Sequence, residues 1–208
     1  LKRPGAAAFY EWLASWGMSV RKPSDLGFDD GPFRLPPLET RQHVVESPVR
    51  YRGFFRRPAK TLADQRAERK GSFRQRCEKA AELLADAPSG IAWCHLNTEG
   101  DLLEKIIDGA VQVAGNDPDE AKEERFLAFA DGQIRVLVTK PTIGGFGMNW
   151  QHCSRMTFFP SHSFEQYYQS VRRCWRFGQK EKVLGDVVTT EGESGVLRNL
   201  QRKAKAAD

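Results

Sequence analysis

Short apolar runs alternate with stretches of helical periodicity along the chain after Gly90. The runs that predict strands are Ile91–Leu96, Ala110–Ala114, Ile134–Thr139, Met156–Phe159 and Val183–Thr189. The stretches that predict helices are Thr98–Asp108, Asp117–Ala130, Phe164–Arg176 and Ser194–Ala206. This alternation predicts an α/β fold, in which a parallel sheet carries helices on both faces. Functional groups of such sheets gather at the carboxyl ends of the strands.

The part of the chain before Gly90 has a different pattern. Apolar residues at helical spacing predict a short amphipathic helix over Ala6–Trp16, and the turn-rich segment Pro23–Pro37 has the composition of a connector. Thr61–Ala87 is a long charged run with a sparse apolar stripe, which predicts a helix interrupted at Gly71. We therefore expect a mainly helical connector before the sheet.

Composition narrows the class of protein. The 208 residues are 40% hydrophobic and 28% charged, which is enough apolar material for one domain with an extension. No apolar run approaches the roughly 18 residues of a membrane span, and the first residues lack a secretory apolar region, so we expect a cytoplasmic protein without a membrane partner. The four cysteines form no CxxC pair, and we expect no metal site. A first residue of leucine suggests a segment of a longer chain.

Charge is unevenly distributed along the chain. Residues 50–79 contain 11 Lys or Arg against 3 Asp or Glu, residues 80–132 contain 3 against 12, and residues 133–182 contain 8 against 2. Basic blocks of this kind are typical of surfaces that bind nucleic acid. The candidate contacts in the first block are Arg66, Arg69, Arg74 and Arg76. The alternative is an ordinary solvated helix face.

A glycine-rich loop follows the predicted strand Ile134–Thr139 and reads Lys-Pro-Thr-Ile-Gly-Gly-Phe-Gly-Met-Asn over residues 140–149. Glycines at the carboxyl end of a strand let the backbone approach a phosphate and present N–H groups to it. The loop matches neither GxxxxGK(S/T) nor GxGxxG. A tight turn without a ligand is the alternative.

The segment Gln169–Gln179 combines glutamine and arginine at helical spacing. At 100° per residue, Gln169, Arg173 and Arg176 fall within about 40° of one another. Guanidinium groups are permanently charged and bidentate, and they can neutralise charge on a transferred phosphoryl group. An exposed basic helix is the alternative.

Taken in order, these segments resemble a known family. Gly144–Asn149 and Gln169–Gln179 are similar to motifs V and VI of the superfamily-two helicases of the Swi/Snf-type branch. The match is closest to the SNF-like DEAD/DEAH-box helicases of bacteriophages and prophages. Ile91–Leu96 looks like motif IV, and Arg21-Lys22 with Leu35-Pro36-Pro37 resembles the connector between the two RecA-like lobes. Arg172 and Trp175 depart from the motif VI pattern, which has glycine and histidine there.

The resemblance implies the second, RecA-like motor lobe of an ATP-dependent DNA helicase or translocase, in a bacterial or phage-infected cell. Residues 1–50 would be the end of the first lobe and the connector, and residues 51–208 the helicase C-terminal domain, with a basic helical insertion at about 60–87. The partners would be DNA, with RNA as the alternative, and the first lobe. The cofactors would be ATP and Mg²⁺, held mainly by that first lobe.

The resemblance also implies roles for individual residues. Arg173 and Arg176 would be the catalytic arginine fingers. Gln169, Gly145 and Gly147 would lie against ATP. Lys140 and Asn149 would join the four arginines of the first basic block in contacting nucleic acid.

Two observations limit the reading. The sequence has no GxxxxGK(S/T), and no DExx tetrapeptide directly follows a predicted strand, so we expect the chain alone to be an inactive ATPase. The main alternative is a non-catalytic α/β module that binds nucleic acid through residues 50–79. A methyltransferase is a weaker alternative, because its glycine loop should follow the first strand and here it follows the third.

Overall fold

The chain divides into two compact units, Leu1–Arg34 and Leu35–Asp208. The computed structural model describes residues 3–18, 20, 22–48, 61–145, 147–161, 163–193 and 202. The first unit contains helix α1, Arg3–Ala14, and two 3-10 turns, Pro23–Leu26 and Gly31–Phe33. The predicted helix and turn-rich connector are therefore both present, with α1 beginning and ending slightly earlier than the periodicity indicates.

The second unit is built on one six-stranded sheet. Its strands are β1 (Leu38–Val45), β2 (Gly90–Trp93), β3 (Ala110–Val113), β4 (Val136–Thr139), β5 (Arg155–Phe158) and β6 (Val183–Thr190). Every neighbouring pair is parallel, and the order across the sheet is β1-β6-β5-β2-β4-β3. The predicted parallel α/β sheet is confirmed.

Helices pack on both faces of this sheet. They are α2 (Leu62–Gly71), α3 (Phe73–Leu84), α4 (Asn97–Ile106), α5 (Asp119–Ala130), α6 (Pro141–Gly144) and α7 (Phe164–Cys174). Buried residues of α3 and α4 form one apolar cluster with one set of strand side chains. Buried residues of α5 and α7 form a second cluster with the alternate set, which points to the opposite face because strand side chains alternate.

Strand β1 is absent from the strands that the sequence predicts. It lies at the edge of the sheet, in full register with β6, within the residues 1–50 assigned to the connector. Polar residues on its inward side hide its strand character: Arg41 and His43 both bond the carboxylate of Asp186, which is 1% exposed. A buried countercharge from β6 thus lets a polar segment join the sheet.

The charged run before β2 forms two helices rather than one. Thr61 caps α2, because its hydroxyl accepts a hydrogen bond from the N–H of Asp64 at 3.1 Å. The break falls at Ser72, next to the predicted interruption at Gly71, and the Ser72 hydroxyl donates to the Glu68 carbonyl at 2.7 Å. Apart from Arg202, the predicted helix Ser194–Ala206 lies outside the described residues, as do the basic residues 50–60.

Among the helices of the described residues, none combines the length and the apolar character that crossing a membrane requires.

Candidate functional site

The glycine-rich loop leaves the buried carboxyl end of β4 and turns at once into α6. Two of its glycines are required for different physical reasons. A Cβ on Gly145 would collide with the carbonyl oxygen of Pro141, so the close backbone approach there excludes any side chain. Gly147 has φ +80°, in the left-handed region that favours glycine, and it is exposed.

Helix α7 carries the glutamine and arginine of the second motif. Three hydrogen bonds hold the guanidinium of Arg173: Nε to the Gln169 carbonyl at 3.2 Å, Nη2 to Gln169 Oε1 at 3.3 Å and Nη1 to the Met148 carbonyl at 2.9 Å. The last bond reaches the glycine-rich loop. The backbone closes the same junction, since the Trp150 N–H donates to the Arg173 carbonyl at 2.9 Å.

Arg176 lies beyond the helix, contrary to the prediction of a helix to Arg176. The helix ends at Cys174. The side chain of Gln179 caps this end, because its Nε2 donates to the Cys174 carbonyl at 3.3 Å and to the Cys153 carbonyl at 2.9 Å. Arg176 nevertheless reaches the same loop, because its Nη1 donates to Asn149 Oδ1. The predicted end of the helix at Arg176 is therefore wrong, although Arg173 and Arg176 both contact the glycine-rich loop.

The electrostatics of this junction favour an anion. Burial, and then the neighbouring positive charge of Arg176, lower the pKa of Arg173 below its ordinary value. Within the described ranges, neither arginine forms an ion pair with a carboxylate; the partners of both are carbonyl or amide oxygens. Two partly buried guanidiniums thus lie side by side without a countercharge, beside an exposed glycine loop.

Lys140 is the first residue of the glycine-rich loop and lies at the carboxyl edge of the sheet. It follows β4 directly, and its Nζ donates to Asn97 Oδ1 at the start of α4. His95 follows β2 on the same edge and its Nε2 donates to the Phe159 carbonyl at 3.1 Å. Burial, followed by the positive charge of Arg69, lowers the pKa of His95 to about 4 against the opposing effect of Glu99. The imidazole is therefore neutral near pH 7.

The four arginines predicted to contact nucleic acid fall into two groups. Arg66 and Arg74 are exposed, and Arg74 lies 3.9 Å from Glu78. Arg69 is mostly buried, donating to the Pro160 carbonyl and, at 3.4 Å, to Glu193. Arg76 is fully buried against Glu99 at 2.8 Å. A phosphate cannot reach Arg76 in this structure, so its assignment to nucleic acid is corrected, and Arg69 is occupied by internal partners.

Sequence reasoning missed the role of Glu99. Its Oε2 accepts hydrogen bonds from the N–H groups of His95 and Leu96, both at 2.9 Å, and so caps the start of α4. A glutamate three residues after the cap position is a known capping signal, and Glu99 stands at that distance from Leu96. The signal was available, but it does not reveal that the carboxylate also has a buried arginine partner.

Comparison with known proteins finds no matching family model and no matching curated relative. Solved structures do share the fold. The C-terminal part of the Fun30 ATPase domain matches at a TM-score of 0.53 and 15% identity, over 64% of this chain and 46% of that one. The chain therefore spans less than half of that structure.

Two further matches belong to DEAD-box proteins. The C-terminal domain of the DEAD-box protein Dbp5 has a TM-score of 0.54 at 16% identity, over 65% of this chain and 81% of that one. A DEAD box protein from the hyperthermophile Methanococcus jannaschii has a TM-score of 0.53 at 19% identity, over 64% of this chain and 37% of that one. The fold of this chain is thus the RecA-like α/β fold found in the C-terminal lobes of helicases.

Proposed function

We propose that this chain is the second motor lobe of an ATP-dependent helicase or translocase that acts on DNA. The observation that carries the proposal is the pair Arg173 and Arg176, which share the glycine-rich loop and have no carboxylate partner among the described residues. Two such groups supply the positive charge that a transferred phosphoryl group requires in its transition state. The shared fold with C-terminal lobes of helicases supports the same assignment.

In this proposal Arg173 and Arg176 act as arginine fingers on the γ-phosphate of ATP. Gln169 positions Arg173 and offers a polar contact, and the backbone near Gly145 and Gly147 approaches the phosphates. These residues fit the phosphate end of ATP because they offer donors and positive charge. The first lobe would bind the β-phosphate and Mg²⁺, since this sequence has neither GxxxxGK(S/T) nor a DExx directly after a strand.

Nucleic acid lies, in this proposal, along the carboxyl edge of the sheet. Lys140 and the exposed Arg66 and Arg74 offer positive charge there and on the helices next to it. Contacts of this kind are made to phosphates and carry no sequence preference. Asn149 is bonded to Arg176, so we place it with the nucleotide contacts rather than with Lys140.

The partner lobe is supported by the exposed apolar side chains of the first unit. The large ones between residues 9 and 33 are Phe9, Tyr10, Trp12, Trp16, Met18, Val20, Leu26, Phe28 and Phe33, with exposures from 37% to 79%. Exposed apolar patches of this extent mark surfaces that another protein surface covers. We assign that surface to the first RecA-like lobe.

ATP turnover tests the motor-lobe assignment. The purified chain is expected to show negligible ATPase activity, and the protein that joins it to the first lobe is expected to hydrolyse ATP with stimulation by DNA. Turnover by the chain alone that depends on Arg173 would contradict the proposal.

Salt dependence tests the nucleic-acid surface and separates it from a solvated helix face. Arg66→Gln with Arg74→Gln should reduce the log–log salt slope of duplex binding by about 0.9 for each lost phosphate contact. The matched control is Lys105→Gln, an exposed basic residue in the last turn of α4. An unchanged slope in the double variant would mean that Arg66 and Arg74 contact no phosphate and that α2 and α3 have only a structural role. Comparing duplex DNA, single-stranded DNA and RNA in the same assay identifies the preferred substrate.

A further inference from the structure

A buried ionic cluster joins α3 to the start of α4, and among the described residues its bonds involve neither Arg173 nor Arg176. Arg76 on α3 and Glu99 on α4 are both 0% exposed and are joined by a 2.8 Å bond between Nη2 and Oε1. The Arg76 guanidinium also lies over the ring of Phe159, at 4.8 Å from its centroid. This pair brings together α3, the start of α4 and the chain that leaves β5.

The Glu99 carboxylate is shared between Arg76 and the loop that follows β2. Its second oxygen accepts the N–H groups of His95 and Leu96. One carboxylate therefore fixes the conformation of this loop, and Arg76 fixes the carboxylate. The next residue, Asn97, accepts the hydrogen bond from Lys140, so the position of the lysine depends on the same chain of contacts.

The same arginine also holds α2 in place. Arg76 Nη2 donates to the Arg69 carbonyl at 2.7 Å, near the end of α2. The Arg69 side chain continues to Pro160 and Glu193, which lie after the carboxyl ends of β5 and β6. Helix α2, which presents the exposed Arg66, is thus anchored to the edge that carries Lys140.

Stability is a poor explanation for this cluster. Arg76 Nε and Nη1 find no acceptor in the described part of the chain, although both atoms are buried. Burying charges removes them from water, and replacing a buried ion pair with apolar residues of similar volume is often neutral or stabilising. What charged and directional bonds do provide is a fixed geometry for the groups that they join.

We propose that Arg76 is a positioning residue that acts through Glu99 to hold the loop His95–Asn97 and Lys140 in the geometry that binds a nucleic-acid backbone. The inference deepens and rests on the proposed function, because it takes Lys140 to be a phosphate contact. Arg76 itself contacts no phosphate.

Duplex binding measured against salt tests this coupling in the full chain. Lys140→Gln should reduce the log–log salt slope by about 0.9, the value for one phosphate contact on duplex DNA. Arg76→Met should reduce it by the same amount although the residue is buried, and combining it with Lys140→Gln should reduce it no further. Such non-additivity is the signature of residues that act as one unit.

Three further variants serve as controls that separate a loss of positioning from a general loss of stability. Arg76→Met leaves Glu99 without its countercharge, so Arg76→Met with Glu99→Gln, which removes both charges, provides a second route to the same loss. Arg76→Lys keeps the charge and should restore part of the slope. Phe129→Ala, in the apolar cluster on the other face, should lower stability and leave the slope unchanged.

Hydrogen exchange at the amides of His95 and Leu96 gives a readout without nucleic acid. Arg76→Met should speed exchange at these two amides relative to the rest of the sheet, whereas Phe129→Ala should not. If the wild-type chain binds no duplex, both the nucleic-acid role and this inference fail. If it binds, Lys140→Gln lowers the slope and the Arg76 variants do not, the inference alone is overturned.

Discussion

Acidification should weaken the fold through His95 at the carboxyl edge of the sheet. Arg69 on α2, Arg76 on α3 and Glu99 on α4 face this ring, which also bonds the Phe159 carbonyl. Burial and Arg69 lower its pKa to about 4, from an ordinary value of 6.5. Between these two pH values His95 is protonated in the unfolded chain and neutral in the folded chain. The contribution to stability is therefore complete above about pH 6.5 and declines as the pH falls toward 4.

The size of this loss follows from the two pKa values. The free energy of unfolding should fall by about 1 kcal/mol at about pH 5.5 and by about 2 to 3 kcal/mol at about pH 4.5, relative to about pH 7.5. A loss of about 2 to 3 kcal/mol is a large share of the stability of an ordinary domain, which is about 5 to 15 kcal/mol.

Urea unfolding of the wild type and of His95→Gln over this pH range measures the effect. Glutamine keeps an N–H donor for the Phe159 carbonyl and does not titrate, so the difference between the two proteins isolates the histidine. Glu193 acts in the opposite sense: burial raises its pKa, so its contribution is lost as the pH rises, and this background is common to both proteins. If both proteins lose equal stability between about pH 6.5 and pH 4.5, the reasoning about His95 is refuted.

Three further outcomes are expected. In the two-lobed protein, Arg173→Ala should lower kcat for ATP hydrolysis about 10³-fold, while Arg172→Ala has a much smaller effect; equal losses would show that the finger is misassigned. Gly147→Ala should cost about 1 kcal/mol in the free energy of unfolding because of its positive φ, and Gly145→Ala should cost more because its Cβ meets a backbone carbonyl; urea unfolding in the reverse order would contradict this. Asp186→Asn should cost about 1 to 3 kcal/mol in the same assay by weakening the attachment of β1, and no loss would mean that backbone pairing alone holds that strand.

Local patterns in the sequence were sufficient to predict a strand or helix wherever the structure of the segment depends on its own apolar spacing. The strands from β2 to β6 and the helices α4, α5 and α7 follow from short apolar runs and helical periodicity, because each buries its own apolar side chains against the sheet. The short helix α6 was predicted only as part of the glycine-rich loop. The two glycines of the loop after β4 were also visible as a departure from ordinary strand composition. The structure adds the separate reason for each, one a close approach and the other a positive φ.

The tertiary structure decided every feature that depends on a partner distant in the sequence. Strand β1 has the composition of a polar segment because its inward Arg41 and His43 bond the buried Asp186, more than 140 residues later. Arg76 belongs to a charged segment whose composition predicts a solvated or nucleic-acid-binding face. In the structure Arg76 is instead buried, in an ion pair with Glu99. The arginine pair of the candidate site likewise meets the glycine loop only through contacts across more than 20 residues. The sequence shows which side chains are charged. The fold decides which countercharge each one meets, and the countercharge in turn decides whether the side chain can be buried and what it does.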